Sequence, residues 1–325
     1  MTSSVILQPA GDSDALGHFV DTIETPVDVS RIKSLMSSAQ LEELGEIFEG
    51  RKTIPVWGIT SGNGGGNAKK WDKIESGDVT LFSRKGRIFA SATVVAKIHN
   101  KLLALDLWDT NSDGETWEYV YFLDELTEQN IPYSAFNEAV GYKPNFVIQG
   151  FSILDEAKSN LLLNAFDLRS TVYFPVIPVQ DYYTAITSSL DDADSLDSTV
   201  QGKGRIEQQF LRKSLFGKRS VAECCLCGRL LPVSLLWAAH IKKRSACSLE
   251  EKKDFKHIVA AMCKLGCDEL YEKKYVSVDS EGTIVVSTKS NSSPELNVFL
   301  DGLVGKKCKS WTENNKKYFA WHNDM

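Results

Sequence analysis

What this chain lacks narrows what it can be. No apolar run approaches the roughly 18 residues of a membrane span. The opening MTSSVILQPAGDSD has neither a basic cluster nor a long apolar core, which argues against a secretory leader. The glycine loop Ser61–Asn67 does not match Gly-x4-Gly-Lys-Ser/Thr, so a P-loop is excluded. No internal repeat or low-complexity tract occurs. Cysteines are few and unevenly spread: of seven, six fall within residues 224–267, five at ligand-like spacing and Cys247 between them. That clustering fits metal binding in a reducing cytoplasm better than disulfides.

What is present is ordinary in bulk and uneven in detail. A length of 325 residues, 42% hydrophobic and 25% charged, suits a soluble globular chain of two or three domains. The net charge is −6, yet residues 201–275 hold 16 Lys+Arg against 8 Asp+Glu. That segment is +8, leaving −14 for the other 250 residues. One module is therefore suited to a polyanion.

The chain is organised around Glu223–Asp279. Cys224-x2-Cys227 and Cys263-x3-Cys267, with 35 residues between the pairs, supply four thiolates, enough for a tetrahedral structural zinc site. Cys225 is an alternative ligand to Cys224. Between the pairs, Leu235–Ala239 reads as a short buried strand with His240 at its end. Asp268 follows the last cysteine on a helix, and Glu272 stands four residues on, so both share one helix face. A histidine-bearing strand beside a helix carrying hard oxygen ligands is the layout of a one-metal nuclease. The competing reading makes His240 a core histidine and the carboxylates a solvated face beside Lys273 and Lys274.

The AAHI element and the Cys-Asp-x3-Glu helix resemble the HNH (ββα-metal) endonucleases. The resemblance implies His240 as general base and Asp268 with Glu272 as ligands of a catalytic Mg²⁺ or Mn²⁺, beside structural Zn²⁺. Ala239 departs from the pattern, since many relatives place a metal ligand there. The middle asparagine is also missing, and His257, the nearest polar candidate, is the second catalytic candidate.

Residues 1–50 hold nine Asp+Glu against Arg31 and Lys33, with one short helix at Ser38–Phe48 and a loose stretch before it. From Thr53 the texture becomes short strands with glycine turns, including a tight hairpin at Ser83–Arg87, which suggests a small curved barrel. VWGITSGNGGGNAKKW, GDVTLFSRKGRIFASATVV and GETWEYVYFLDEL resemble EVE domains of the PUA-like group, over roughly residues 53–185. The resemblance implies an aromatic pocket walled by Trp57, Trp71 and Trp117, with Phe82, Trp108 and Tyr119 as second choices. The glycine loop would fold over a pocket or contact a backbone. An amphipathic helix from Gly204 to Gly217 leads into the cysteine frame, and Arg205, Arg212, Lys213, Lys218 and Arg219 are expected along DNA phosphate.

The expected fold class is α+β: a PUA-like (EVE) β-barrel with flanking helices, plus a zinc-stabilised ββα-metal HNH domain. The expected divisions are an acidic helical segment 1–52, a reader 53–185, a linker 186–203, and a nuclease domain 204–325 with its helical lead-in. Together the halves resemble EVE–HNH modification-dependent (type IV) restriction endonucleases of bacteria. That implies a cytoplasmic enzyme binding double-stranded DNA with 5-methyl- or 5-hydroxymethylcytosine. It would flip the base, cut a nearby phosphodiester, and act as a homodimer for double-strand cleavage. Two alternatives stay open: a nuclease blind to modification, and a non-catalytic RNA-modification binding protein.

Overall fold

Alternation in Val120-Tyr121-Phe122-Leu123 sends neighbouring side chains to opposite faces of one sheet. Val120 and Phe122 join a core with Ile32, Val56 and Leu103, while Tyr121 and Leu123 join another with Ile6, Trp57 and Phe82. Both faces are thus covered. The computed structural model describes residues 3–188, 198–286 and 293–324. It divides into two units, Met1–Val176 and Ile177–Met325.

Unit 1 runs β1 (Val5–Pro9), α1 (Ser13–Phe19), β2 (Val27–Asp28), α2 (Val29–Ser34), α3 (Ser38–Leu44), β3 (Thr53–Ile54), β4 (Val56–Ile59), α4 (Gly66–Trp71), β5 (Val79–Arg84), β6 (Arg87–His99), α5 (Lys101–Trp108), β7 (Tyr119–Pro132), α6 (Tyr133–Val140), β8 (Ser152–Ile153) and α7 (Glu156–Ala165). Six strands form one mixed sheet in the order β4-β7-β6-β5-β1-β8. Register shifts along β6–β7, and between Phe82 and Ser83, are bulges that increase twist and curl the sheet into a half-barrel. The expected barrel is therefore open, with β4 and β8 at its edges. The hairpin between β5 and β6 falls where expected, with Lys85 and Gly86 both at positive φ (48° and 75°).

Both expected domain limits shift. Residues 1–52 are not a separate helical segment, because β1 pairs in parallel with β5, Val5 opposite Val79. The run Val5-Ile6-Leu7, expected to be loose, is a buried strand inside the sheet. At the other end, unit 1 stops at Val176, not at 185. Tyr182 belongs to unit 2, where its ring stacks on Phe210 at 4.2 Å and 12°.

Unit 2 runs α8 (Val179–Ser188), α9 (Ser198–Phe216), β9 (Val221–Glu223), β10 (Leu230–Pro232), β11 (Leu236–His240), α10 (Leu249–Lys253), β12 (Val259–Cys263), α11 (Cys267–Glu272), β13 (Val276–Val278), β14 (Ile284–Val286), α12 (Pro294–Asp301) and α13 (Lys316–Asp324). Of the expected linker, 186–188 and 198–203 are helical, and 189–197 lie outside the described residues. Pairing joins β9 to β10, β11 to β12 and β13 to β14. Helix α9 ends at Gly217, which takes φ 59° and returns its N–H to the Lys213 carbonyl at 2.9 Å. The chain as described is α+β, and no described helix is long and apolar enough to cross a membrane.

Candidate functional site

Two short turns, each holding a cysteine pair, meet in unit 2. The Cys225 N–H donates to Ala261 O at 2.8 Å, and the Cys263 N–H donates to the Cys224 sulfur at 3.3 Å. These bonds dock the β9–β10 turn on the β11–β12 hairpin. The second turn depends on Gly266, whose φ of 132° disfavours any residue with a Cβ. Sulfurs of Cys224, Cys227, Cys263 and Cys267 lie within 4.8 Å of one another. Zinc–sulfur bonds of about 2.3 Å would set tetrahedral sulfurs roughly 3.8 Å apart, so the quartet can hold such an ion. A hydrogen bond from Cys267 and backbone N–H groups hold the Cys224 thiol down, to about 5, the thiolate a metal needs. Cys225 does not take the place of Cys224: it pairs with Cys308, and that contact and burial push its thiol well up.

The quartet fixes α11 against the β11–β12 hairpin. His240 closes β11, paired with Val259, and half-buried Asp268 and exposed Glu272 project from α11. All three line one cleft of about 570 Å³, together with Trp237, Arg244 and His322. Burial holds the His240 imidazole below its ordinary 6.5, with Glu207 opposing that shift. Burial, then Glu272 and Glu269, push Asp268 up to about 6. Among the described residues only the four cysteines bring three or more such ligand atoms within 4.8 Å. His240, Asp268 and Glu272 share the cleft without forming so close a cluster.

His257 does not join them. Its Nδ1 sits 2.6 Å from Asp254, whose other oxygen accepts from the Tyr318 hydroxyl at 2.6 Å, and it is outside the cleft lining. The carboxylate three residues before it captured the ring.

Sequence reasoning missed four participants. Trp237 is 42% exposed in the cleft, although its strand reads as wholly buried. His322 stacks on Tyr271 at 3.7 Å, and its Nε2 lies 2.8 Å from the Tyr271 carbonyl. Buried Glu207 of α9 meets Arg244 in a bidentate ion pair, Nε to Oε1 at 2.8 Å and Nη2 to Oε2 at 2.5 Å. A charged residue on the apolar face of α9, one position after Ile206, was the available signal.

The basic lead-in also corrects an expectation. Arg212 is buried and donates to the carbonyls of Leu236 (2.5 Å) and Val233 (2.9 Å), bracing β11. Arg219 donates to Phe216 and Leu215, closing the helix end. Both guanidinium groups are thus bound to the chain's own carbonyls. The Arg205 side chain is outside the described residues.

A second candidate lies in unit 1. A pocket of about 340 Å³ is lined by Trp57 and Trp117 with Asp12, Asn67, Asn111 and Phe151. Its size is at the lower end of small-molecule pockets, about 300–1,000 Å³. Trp57 is 2% exposed, and its indole N–H has no hydrogen-bond partner among the described residues. Gly58 is required beside it: a Cβ there would meet the Trp117 carbonyl at 2.3 Å and the Trp108 ring at 2.6 Å. Asn67, at the end of the glycine loop, also lines this pocket.

The other aromatic candidates are packing residues. Trp71 donates its N–H to Val120 O at 3.2 Å and packs edge-on to Tyr119, which stacks on His99 at 4.7 Å. Phe82 is fully buried against Trp57, and Trp108 fills the space above Gly58. None of these four rings lines the pocket of Trp57 and Trp117.

No family model matches the chain, and no curated protein matches it. Among solved structures it is similar to the N-terminal domain of McrB from Thermococcus gammatolerans, bound to m5C DNA. The identity is 13%, over 51% of this chain and 98% of that one, with a TM-score of 0.37.

Proposed function

We propose that the protein is a modification-dependent DNA endonuclease, with a base-reading pocket in unit 1 and a cutting site in unit 2. One observation carries the proposal: His240 at the end of β11 shares a cleft with Asp268 and Glu272 on α11, and a four-cysteine cluster ties α11 to the hairpin. In this reading His240, unprotonated at neutral pH, takes the proton from the attacking water. Asp268 and Glu272 would hold a divalent ion, Mg²⁺ or Mn²⁺, which would supply charge stabilisation at the phosphate. The cysteines would hold structural zinc. Arg244 and Lys243 bring positive charge to the same cleft for a polyanion. A homodimer would cut both strands.

The pocket of Trp57 and Trp117 supports the reading half. A base inside a duplex cannot be enclosed, so it must be flipped out. Aromatic stacking returns about 1–3 kcal/mol per base, enough to offset unstacking. The polar Asp12, Asn67 and Asn111 supply groups for the edge of a modified cytosine.

Cleavage of cytosine-methylated and unmodified plasmid, each with magnesium or with chelator, tests the proposal. Magnesium-dependent cutting of the methylated plasmid alone is expected, abolished in His240→Ala with DNA binding retained. Equal cutting of both plasmids leaves a modification-blind nuclease. No cutting of either, with tight binding to modified RNA, leaves a non-catalytic RNA reader.

A further inference from the structure

The lead-in helix α9 contributes to the cleft chemically as well as mechanically. Glu207 is 2% exposed, and its Oε1 stands 3.7 Å from His240 Nε2. A carboxylate so deep needs partners, and Arg244 supplies one through both oxygens. A carboxylate has about four lone-pair sites, so this fork leaves room for a further donor on Oε1. The ring nitrogen presented to it is Nε2. Other charged groups around the ring are Arg244 on its own loop and Lys252 on α10, with Asp268 and Glu272 of α11 lining the same cleft. Tyr182 of α8 stands close enough to Glu207 to feel its charge.

We propose that Glu207 is the positioning residue for His240, holding the Nε2–H tautomer so that Nδ1 carries the lone pair that accepts the proton. The role in cutting rests on the nuclease reading above; the pairing itself does not. Glu207 acts from α9, an element outside the hairpin and α11. The charge of Arg244 sets the strength of the pairing. It is shared between phosphate-facing cleft and buried carboxylate, and it competes with the imidazolium for Glu207.

The signs make this testable. Glu207 raises the affinity of His240 for a proton, and Arg244 lowers it. Titration of the His240 ring by NMR in the zinc-loaded full chain reads the pairing without any cleavage. Glu207→Gln should lower the His240 pKa, and Arg244→Gln should raise it. In cleavage assays Glu207→Gln should lower kcat at least about tenfold, a part of the usual general-base contribution, with KM unchanged. The acid limb of its pH profile should move to lower pH, and Glu207→Asp should recover part of the rate. If His240 titrates identically in wild type, Glu207→Gln and Arg244→Gln, the proposal is overturned and Glu207 merely anchors Arg244. Should Glu207→Gln not fold, Glu207→Asp replaces it, and an unchanged His240 titration in that variant overturns the proposal. If the shifts appear but wild type cuts no DNA, the pairing stands and the nuclease reading falls.

Discussion

The Tyr271 hydroxyl donates to the Ile241 carbonyl at 3.0 Å, joining the middle of α11 to the residue after His240. Tyr271 lies between Asp268 and Glu272 in sequence and is itself buried, so the bond sets how far the helix stands from the strand end. Tyr271→Phe keeps the ring and leaves a buried carbonyl unpaired. The expected loss is about 1–2 kcal/mol in denaturant unfolding, with cleavage reduced more than DNA binding. An unchanged unfolding midpoint would show that the two elements are spaced by packing alone.

Metal removal should act on unit 2. Purified protein is expected to carry about one zinc per chain, and Cys227→Ala or Cys267→Ala to lose both metal and folded unit 2. Cys225→Ser should keep the zinc, since Cys225 pairs with Cys308 outside the quartet. Zinc content by mass spectrometry, read with thermal unfolding, checks all three variants.

Arg212 distinguishes a brace from a DNA contact. Arg212→Ala should cost about 1–3 kcal/mol for each of the two carbonyls left unpaired. The salt dependence of DNA binding by the remaining folded protein should keep its slope. A slope reduced by about one, with stability intact, would put Arg212 on phosphate instead.

In unit 1 the two tryptophan classes should part. Trp117→Ala is expected to weaken binding to modified DNA by roughly 5- to 150-fold, the equivalent of one stacking contact, and to spare unmodified DNA. Trp71→Ala should destabilise the fold and weaken both DNAs alike. Titrations of both variants against matched duplexes separate a reading pocket from a plain anchor.

His322 gives the fold a pH dependence. Burial holds its imidazole down to about 4, against an ordinary 6.5. Between those values the unfolded chain binds a proton that the folded chain refuses. The His322 contribution is therefore complete above about pH 6.5 and is lost as pH falls toward 4, by at most about 1.4 kcal/mol per unit. His322→Gln should flatten the fall in unfolding free energy between pH 7 and 5. A variant with the wild-type slope would assign the acid sensitivity to other groups.

How much of this was legible in the sequence depended on whether the signal was local. The cysteine spacing, the strand ending at His240, and the Asp268–Glu272 face are features of a few consecutive residues, and the structure brings them together. The hairpin at Lys85-Gly86 was equally plain. Misreadings came where a distant partner decides. Val5–Pro9 is a strand because residues 79–83 lie beside it, and acidic surroundings masked its apolar run. Arg212 reads as a surface cation until the carbonyls of Leu236 and Val233 are seen beneath it. Trp71, Phe82, Trp108 and Tyr119 carry the same composition as Trp57 and Trp117. Only the fold shows which of them border the pocket, and even Trp57 there is mostly buried. His257 was captured by Asp254, and Glu207 was hidden in a helix read for its basic residues.

The placement of β1 between β5 and β8 also governs how the molecule comes into being. Val5–Pro9 is an interior strand whose neighbours, Val79–Ser83 on one side and Ser152–Ile153 on the other, both follow it far along the chain. One edge waits for residues 79–83 and the other for residues 152–153. Pairings across such separations are slow, and an apolar strand waiting for them is open to capture by another copy or by chaperones. Deleting residues 1–10 would thus remove the stave between β5 and β8, and soluble yield should collapse well before any loss of chemistry could be measured.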